Sequence, residues 1–265
     1  MGRRGGGGRL TTPASEDRVA RVRAGERRAI ASLIRDLDDQ RDGATEEVGR
    51  LGVDPTQGRR AIVGVTGAPG AGKSTLVDAL ITAWRADGMR VGVLTVDPSS
   101  PRHGGAILGD RIRMQRHATD EGVFIRSFGT RGASGGLSPA VGAAALVLLA
   151  GGFSRVVIET VGVGQNEVEI ARAAGATVVV TVPGLGDDIQ TMKAGVFEVA
   201  DILVVNKADR PGAEQAAREL AAMLDLRASA GDLSGAEVPV LSTVAADGTG
   251  IPALSDAIQR VLARS

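Results

Sequence analysis

The sequence predicts an α/β fold in which a mostly parallel, doubly wound sheet is covered by helices on both faces. Two observations predict it. Short β-branched runs alternate with helical stretches, and these runs are apolar throughout instead of alternating with polar residues. A chain of 265 residues also has the length for one large α/β domain with an appendage. Ligands of such sheets bind at the carboxyl ends of the strands.

The predicted strands follow one another from about residue 61 onward. They are AIVGVTG, RVGVLTVD, VFIRSF, RVVIET, ATVVVTVP, DILVVN and VPVLST, and the helices between them include KSTLVDALITAWRA, a helix near 188–199 and EQAARELAAML. The uncharged run AVGAAALVLLAGGF is shorter than the roughly 18 residues that a membrane span needs. We therefore expect it to form a buried helix.

The first 57 residues differ from the rest. Residues 1–15, MGRRGGGGRLTTPAS, are predicted to be a disordered arm, since they carry arginines but no apolar stretch that an export signal would need. Residues 16–57 are predicted to be an N-terminal helical extension, because their apolar residues recur at spacings of three and four, as in one amphipathic helix or a broken pair. The α/β domain is then expected over residues 58–265.

Composition excludes several classes of function. The net charge is zero, so no global field attracts nucleic acid or an anionic membrane, and four Phe and one Trp are too few for a base-stacking platform. The chain has no cysteine, which excludes disulfides and thiolate metal sites and suits a cytoplasmic protein. We expect no nucleic-acid partner and no membrane partner, and any anion site must be local.

A phosphate-binding loop follows the first predicted strand. The stretch GAPGAGKST fits the pattern G-x-x-x-x-G-K-[ST], with a strand before it and a helix after it. Its glycines let consecutive N–H groups turn toward a phosphate, Lys73 reaches the β and γ phosphates, and the Ser74 hydroxyl can ligate Mg²⁺. The predicted loop residues are Gly67, Ala68, Pro69, Gly70, Ala71, Gly72, Lys73, Ser74 and Thr75. The fold class is therefore a P-loop NTPase.

The stretch NKAD at a predicted strand end selects guanine. The Asp209 carboxylate would accept two hydrogen bonds from the guanine ring N–H and amine, which adenine cannot supply in that arrangement. Asn206 would brace the neighbouring loops and Lys207 would lay its stem along the base. The stretch LSTVA, Leu241 to Ala245, is expected to place a backbone N–H at the guanine oxygen, with Ser242, Thr243 and Val244 as the binding residues, although an ordinary strand end with a turn would look the same.

Three carboxylates are candidates for the metal. Glu159 ends a strand in VIETVGVGQNE, where phosphate-binding α/β proteins usually place an aspartate, and Asp97 and Asp110 follow the second strand. With Ser74, these residues would hold Mg²⁺ directly or through its waters. Two alternatives stay open: Asp97 could instead cap a helix, and Asp110 could form a surface salt bridge with a nearby arginine such as Arg111 or Arg113.

Lysine is scarce. Among 31 basic residues only Lys73, Lys193 and Lys207 are lysines. Against a coding bias toward arginine, a retained lysine indicates a position that a planar guanidinium cannot fill.

Together, GAPGAGKST, VDPSSP, GGAILGDRIRM, VIETVGVGQNE, PGLGDDIQTMKAG and NKAD resemble the MeaB/ArgK family, from about Val22 to the end of the chain. These are GTPases associated with methylmalonyl-CoA mutase, once described as lysine/arginine/ornithine transport ATPases. The resemblance implies a G domain that binds GTP or GDP with Mg²⁺ and hydrolyses GTP slowly alone. It also implies docking to an adenosylcobalamin-dependent acyl-CoA mutase, whose cofactor loading and protection it gates.

The motifs together suggest further roles, and the resemblance adds the switch loops. Lys73, Asp97, Asp110 and Glu159 would form the catalytic centre. The switch loops would contain Gly162, Gln165, Asp187, Gln190 and Lys193, although the last three could simply solvate a helix start. No motif identifies the group that orients the attacking water, for which Gln165 by its position, Gln190 and a partner residue are the candidates. No arginine finger is obvious in the sequence, although Arg111, Arg113 or Arg131 could supply one.

Two departures from the family bear on these expectations. Family members continue into a C-terminal helical segment used for dimerisation, whereas this sequence ends at VLARS, so homodimerisation stays open. Asn166 stands where the family has serine, and we assign it no role. The alternative functions are a nucleotide-gated metal-delivery GTPase, for which His103 and His117 make a poor site, a P-loop small-molecule kinase, and a switch without meaningful turnover.

Overall fold

The computed structural model describes residues 13–97, 114–129, 138–160, 166–184, 199–229 and 238–264. Before the sheet, the helices are α1 (Pro13–Arg23), α2 (Arg27–Asp38), α3 (Ala44–Arg50) and α4 (Pro55–Arg59). The sheet and its helices are β1 (Ile62–Gly67), α5 (Lys73–Ala86), β2 (Val91–Asp97), β3 (Val123–Gly129), α6 (Pro139–Ala150), β4 (Arg155–Thr160), α7 (Asn166–Ala173), β5 (Ala176–Thr181), β6 (Ile202–Asn206), α8 (Ala213–Ser229), β7 (Val240–Thr243) and α9 (Ile251–Arg264). A short 3₁₀ turn, Gln115–His117, precedes β3.

The seven strands form one parallel sheet in the order β3-β2-β4-β1-β5-β6-β7. The predicted α/β fold with a parallel sheet between helices is thus confirmed. Strand order reverses at β1, and this is the place where open α/β sheets bind their ligands. The phosphate loop leaves the sheet there.

Both faces of the sheet are buried, which explains why the strands read as continuous apolar runs. On one face, residues such as Val63, Val93 and Val178 pack with α5 and α9. On the other face, alternate residues such as Ile62 and Ile158 pack with α2, α6 and α7. The period of two along each strand therefore places alternate residues in separate cores on the two faces of the sheet.

Two glycines allow helices to approach the second face closely. A Cβ at Gly64 would lie 2.1 Å from Cγ2 of Ile170 on α7, and a Cβ at Gly92 would lie 2.7 Å from Cδ1 of Leu148 on α6. Both distances are too short for real atoms. The run AVGAAALVLLAGGF forms α6 and the turn after it, and within the described ranges no helix is both long and apolar enough to cross a membrane.

The N-terminal helices pack onto the sheet through α6, and they share its second core through Ile30, Leu33 and Ile34. The predicted amphipathic segment is a broken pair, α1 and α2, and α1 begins at Pro13 within the residues assigned to the arm. Arg18 joins the helices: it donates to Glu47 of α3 at 2.7 Å and also pairs with Asp36 of α2. The domain division at residue 57 stays a prediction.

Candidate nucleotide site

The phosphate loop runs from the end of β1 to the first residue of α5. Gly67, Gly70 and Gly72 have φ values of 134°, 75° and 89°, which favour glycine over any residue with a side chain. A Cβ at Gly67 would lie 2.0 Å from the carbonyl oxygen of Val180 on the neighbouring strand. The loop therefore folds directly against β5, and the sequence predicted both its place and its need for glycine.

Lys73 lies inside this loop. Its Nζ donates to the carbonyl oxygens of Gly67 at 2.9 Å and Ala68 at 3.1 Å, and only 6 % of the residue is exposed. A compact ammonium can turn from these carbonyls to a phosphate without moving the backbone. The arrangement places the cation at the N-terminus of α5, where the helix dipole also favours an anion.

Ser74 and Glu159 meet at the sheet edge. The Ser74 hydroxyl donates to Oε1 of Glu159 at 2.7 Å, and both residues are buried. Their contact follows from the topology, because β4 pairs with β1 and places Glu159 opposite Val65. β2 lies on the other side of β4, with Thr95 opposite Glu159, so the backbone of Asp97 lies further toward the same edge. The structure brings Ser74 and Glu159 together, and their service as metal ligands stays a prediction.

Asn206 connects three segments. Its Nδ2 donates to the Ala71 carbonyl at 2.9 Å, and its Oδ1 accepts from the Thr243 hydroxyl and from the Ala245 N–H, both at 3.1 Å. The residue is 2 % exposed, so its amide is satisfied within the protein. The structure thus gives Asn206 the bracing position that the sequence predicted.

Residues 206–209 form the segment called here the base loop, which Lys207 and Asp209 complete. Lys207 has a positive φ of 56°, and its Nζ donates to the Gly70 carbonyl at 2.7 Å, so it ties the base loop to the tip of the phosphate loop. The N–H of Ala208 donates to the Thr243 carbonyl at 3.0 Å, which holds the following residues beside β7. Asp209 is exposed at the end of this turn. Its carboxylate is therefore accessible to a base.

The end of β7 and the residue after it correspond partly to the predicted guanine-oxygen contact. Ser242 is exposed, the Thr243 hydroxyl is used by Asn206, and the Val244 N–H donates to the Thr249 carbonyl at 3.0 Å. Ala245, the last residue of the predicted stretch, donates its N–H to Asn206, a contact that the sequence did not predict. The turn is closed by the Thr249 N–H, which donates to Asp247 at 2.9 Å and lowers the pKa of that carboxyl. The stretch DGTG shortly after the strand is the sequence signal that could have identified this turn.

Several predicted residues lie outside the described ranges. They are Asp110, Gly162, Gln165, Asp187, Gln190, Lys193 and the side chain of Asp97, together with the helix predicted near 188–199. In the part of the chain that is described, no group of three or more His, Asp or Glu side chains is arranged to hold a metal ion. His117 lies with its Nε2 3.0 Å from Oδ1 of Asp78, and His103 falls outside the described ranges.

The geometry of the site accords with a sequence match over residues 27–264 to the family described as methylmalonyl Co-A mutase-associated GTPase MeaB. The chain belongs to the MeaB family. It is therefore a GTPase that binds guanine nucleotide. A relative from Pyrococcus horikoshii that is named a GTPase is 50% identical over 244 residues, which are 92% of this chain and 76% of that protein.

Further comparisons agree. GTPase ArgK of Escherichia coli is 41% identical over 194 residues, covering 72% of this chain and 58% of ArgK. The crystal structure of an LAO/AO transport system kinase superposes with a TM-score of 0.74 at 28% identity, covering 96% of this chain and 78% of that one. These matches confirm the predicted resemblance to the MeaB/ArgK family.

Two more distant matches bear on the mutase partner and on the metal-delivery alternative for this MeaB-family protein. The fused isobutyryl-CoA mutase of Geobacillus kaustophilus is 33% identical over 237 residues, which are 86% of this chain and 22% of the mutase. The nickel complex of HypB from Helicobacter pylori superposes with a TM-score of 0.50 at 19% identity, covering 83% of this chain and 93% of that one. The HypB likeness shows the shared fold alone.

Proposed function

We propose that this GTPase acts in the cytoplasm as a chaperone of an adenosylcobalamin-dependent acyl-CoA mutase, such as methylmalonyl-CoA mutase, and gates the loading and protection of its cofactor. The observation that carries this proposal is the fused isobutyryl-CoA mutase. There, a segment 33% identical to this chain is part of a mutase polypeptide. The family description, which names association with methylmalonyl-CoA mutase, supports the same partner class.

In this proposal the phosphate loop and the base loop hold opposite ends of GTP. Residues 67–75 cradle the phosphates with their N–H groups, and Lys73 turns from the Gly67 and Ala68 carbonyls to the β and γ phosphates. The exposed Asp209 carboxylate accepts the guanine N–H groups, while Asn206 and Lys207 hold the two loops together. Ser242, Thr243 and Val244 frame the base from the next strand, and the neighbouring backbone faces the guanine oxygen.

The residues beside the loop fit a magnesium ion. The Ser74 hydroxyl oxygen and Oε1 of Glu159 can both act as metal ligands, and they lie 2.7 Å apart at a buried point of the sheet edge. Mg²⁺ prefers such oxygen ligands. Ser74 would hold the ion, with Asp97, Asp110 and Glu159 contacting it or its waters. When bound, Mg²⁺ neutralises charge on the β and γ phosphates.

Hydrolysis then proceeds by attack of a water in line with the γ-phosphate. Lys73 and the loop N–H groups stabilise the charge that develops on the transferred phosphoryl group. The water is oriented by Gln165, Gln190 or a residue of the partner. The switch residues Gly162, Asp187 and Lys193 report the nucleotide state to the mutase. Turnover is slow until the partner completes the site.

The decisive experiment measures GTP hydrolysis by the purified protein alone and with the adenosylcobalamin-dependent mutase from the same source. We expect a slow rate with GTP, a several-fold rise with the mutase, and no comparable rate with ATP. Lys73→Ala serves as the matched control, because it should remove the rate in both conditions while the mutase still binds. An unchanged rate in the presence of the mutase would exclude this partner while leaving the GTPase assignment intact.

A further inference from the structure

A half-open cleft of about 530 Å³ lies at the amino ends of the strands, on the opposite edge of the sheet from the phosphate loop. Its walls include Arg27, Ile30, Arg85, Arg90, Glu121 and Phe153. Arg90 immediately precedes β2, and Phe153 shortly precedes β4, so the cleft is formed where these strands begin, while α2 covers it. A volume of several hundred cubic ångströms is typical of small-ligand sites.

Arg27 and Arg90 are held in similar ways. Arg27 donates through Nη1 to the Val123 carbonyl at 2.8 Å, and its guanidinium lies 5.4 Å from the Phe124 ring centroid. Arg90 donates through Nη1 to the Gly151 carbonyl at 2.8 Å and lies 4.4 Å from the Phe153 centroid. Among the ion pairs of the described residues, none involves Arg27 or Arg90, whereas Arg85 and Arg126 pair with Asp120 and Asp38. Each guanidinium is therefore anchored through one N–H group and keeps further N–H donors; Arg27 is an exposed residue and Arg90 is half-buried.

Arg85 forms a neutral wall of the same cleft. It donates to both carboxylate oxygens of Asp120, at 2.8 and 2.9 Å, and to the Met89 carbonyl at 2.7 Å. Its charge is thus compensated, and so is that of Asp120. The other carboxylate on the rim belongs to the exposed Glu121. The lining consequently keeps a net positive charge from Arg27 and Arg90, reduced by Glu121.

Glycines leave room for these guanidinium groups. A Cβ at Gly122 would lie 2.2 Å from Cζ of Arg85, and a Cβ at Gly152 would lie 3.1 Å from Nη1 of Arg90. Gly25, with a φ of +75°, borders the cleft, and a Cβ there would lie 3.3 Å from the same Nη1. Larger residues at these positions would displace the arginines from the positions that line the cleft.

We propose that this cleft binds a phosphate group, either free phosphate or the phosphate of a small metabolite, at a site separate from the nucleotide site. Two fixed guanidinium groups match the double charge and the several acceptor oxygens of a phosphate, and planar guanidinium donors bind such oxygens in pairs. Because the cleft borders α2 and the starts of β2, β3 and β4, bound phosphate would also stabilise the packing of the N-terminal helices on the sheet.

The same contacts have a purely structural interpretation, in which Arg27 and Arg90 only fasten the N-terminal helices to backbone carbonyls. The two interpretations differ in what they predict for phosphate. A fastening role makes variants of these arginines less stable in any buffer. A phosphate site makes stability and heat of binding depend on phosphate, and it gives Glu121 an effect of opposite sign.

The test is calorimetric titration of the whole chain with inorganic phosphate and with glycerol 3-phosphate, at constant ionic strength. A non-hydrolysable GTP analogue with Mg²⁺ is present in excess, so the phosphate loop is filled to its γ position. Acetate, at matched concentrations, tests for a general preference for carboxylates. Circular dichroism checks that each variant is folded.

We expect Arg27→Gln and Arg90→Gln each to weaken phosphate binding by about tenfold or more, since each removes a charge-assisted hydrogen bond. Arg28→Gln is the matched control, because Arg28 neighbours Arg27 on α2 and is exposed but does not line the cleft. It should change the affinity by less than about twofold. Glu121→Gln should tighten binding by roughly twofold to fivefold, because a like charge at the rim is removed.

The glycerol 3-phosphate arm separates the two sources of the phosphate: tighter binding than that of inorganic phosphate assigns the site to a metabolite. Four outcomes would overturn the proposal. The first two are an absence of phosphate binding by the wild type, and a phosphate affinity of the Arg27 and Arg90 variants that equals that of the wild type. The other two are a phosphate affinity that Glu121→Gln does not raise, and tighter binding of acetate than of phosphate. The Glu121 variant decides even where an arginine variant fails to fold, since a gain of affinity cannot arise from unfolding.

Discussion

Cations at the two edges of the sheet are held by different chemistry. At the carboxyl edge, the ammonium groups of Lys73 and Lys207 donate to backbone carbonyls of the phosphate loop. At the amino edge, the guanidinium groups of Arg27 and Arg90 also donate to carbonyls but lie beside phenylalanine rings. A compact ammonium fits within a loop of glycines, whereas a planar guanidinium can stack on an aromatic ring. The difference agrees with the placement of two of the three lysines at the nucleotide site of a chain rich in arginine.

The largest effect is expected from Lys73. Lys73→Ala should lower the rate of GTP hydrolysis by about 100-fold or more, since it removes a cation aimed at the transition state. Lys73→Arg sharpens the comparison, because a guanidinium is too wide to lie between the Gly67 and Ala68 carbonyls, and we expect a similar loss. Arg260→Lys, an exposed change on α9, is the control. A fully active Lys73→Arg enzyme would show that the size of the cation does not matter.

Asp209 is expected to have the next largest effect. Asp209→Asn should weaken GTP binding by roughly tenfold to 100-fold, because the variant loses charged acceptors for the guanine N–H groups. Xanthosine triphosphate, which carries a carbonyl where guanine carries its amine, should bind the variant better than GTP does. Fluorescence titration of the wild type and the variant with GTP, xanthosine triphosphate and ATP measures these affinities. Asp87→Asn is the control, and an unchanged preference for GTP over ATP would remove Asp209 from the base site.

Asn206 tests whether the two nucleotide loops depend on one another. Asn206→Ala leaves the Ala71 carbonyl, the Thr243 hydroxyl and the Ala245 N–H without their partner in a buried place. We expect the free energy of unfolding to fall by about 1–3 kcal/mol. Denaturant unfolding with and without GDP measures it, and GDP should stabilise the variant less than the wild type. A variant as stable as the wild type would mean that the loops hold their positions separately.

The smallest effect concerns the amino edge and pH. The Arg85 guanidinium and the Gly122 N–H donate to Asp120 and hold the pKa of that carboxyl below its usual value. The pair therefore stabilises the protein fully above about pH 4 and loses its contribution as pH falls through the lowered pKa. The free energy of unfolding of the wild type and of Asp120→Asn should differ by less than about 1 kcal/mol near neutral pH, because the pair is partly exposed. That difference should shrink below about pH 4. A difference that grows on acidification would contradict this role.

The sequence predicted those features that a local pattern encodes. GAPGAGKST identified the phosphate loop because its glycines and lysine must be consecutive, and NKAD identified the base loop for the same reason. Apolar runs identified the strands, since both faces of the sheet are buried. The convergence of Ser74 and Glu159 was also predicted, because strand ends meet at one edge of a parallel sheet.

Other features depend on contacts between distant segments and left no local signal. Arg27, Arg90 and Phe153 come together only because β2 and β4 are neighbours and α2 crosses their beginnings. The bond from the Ala245 N–H to Asn206 was not predicted, because Asn206 lies on another strand. The pairing of Lys207 with the Gly70 carbonyl was likewise not predicted, since it spans two loops far apart in the chain.

The hydrogen bonds from Asn206 to Ala71 and from Lys207 to Gly70 couple the positions of the phosphate loop and the base loop. A factor that speeds release of GDP therefore need not touch the phosphates. Displacing Thr243 at the end of β7 and Ala245 in the turn after it, which both donate to Asn206, would weaken the hold on both ends of the nucleotide at once. We therefore expect nucleotide exchange to respond to changes at the end of β7 as well as within the two nucleotide loops.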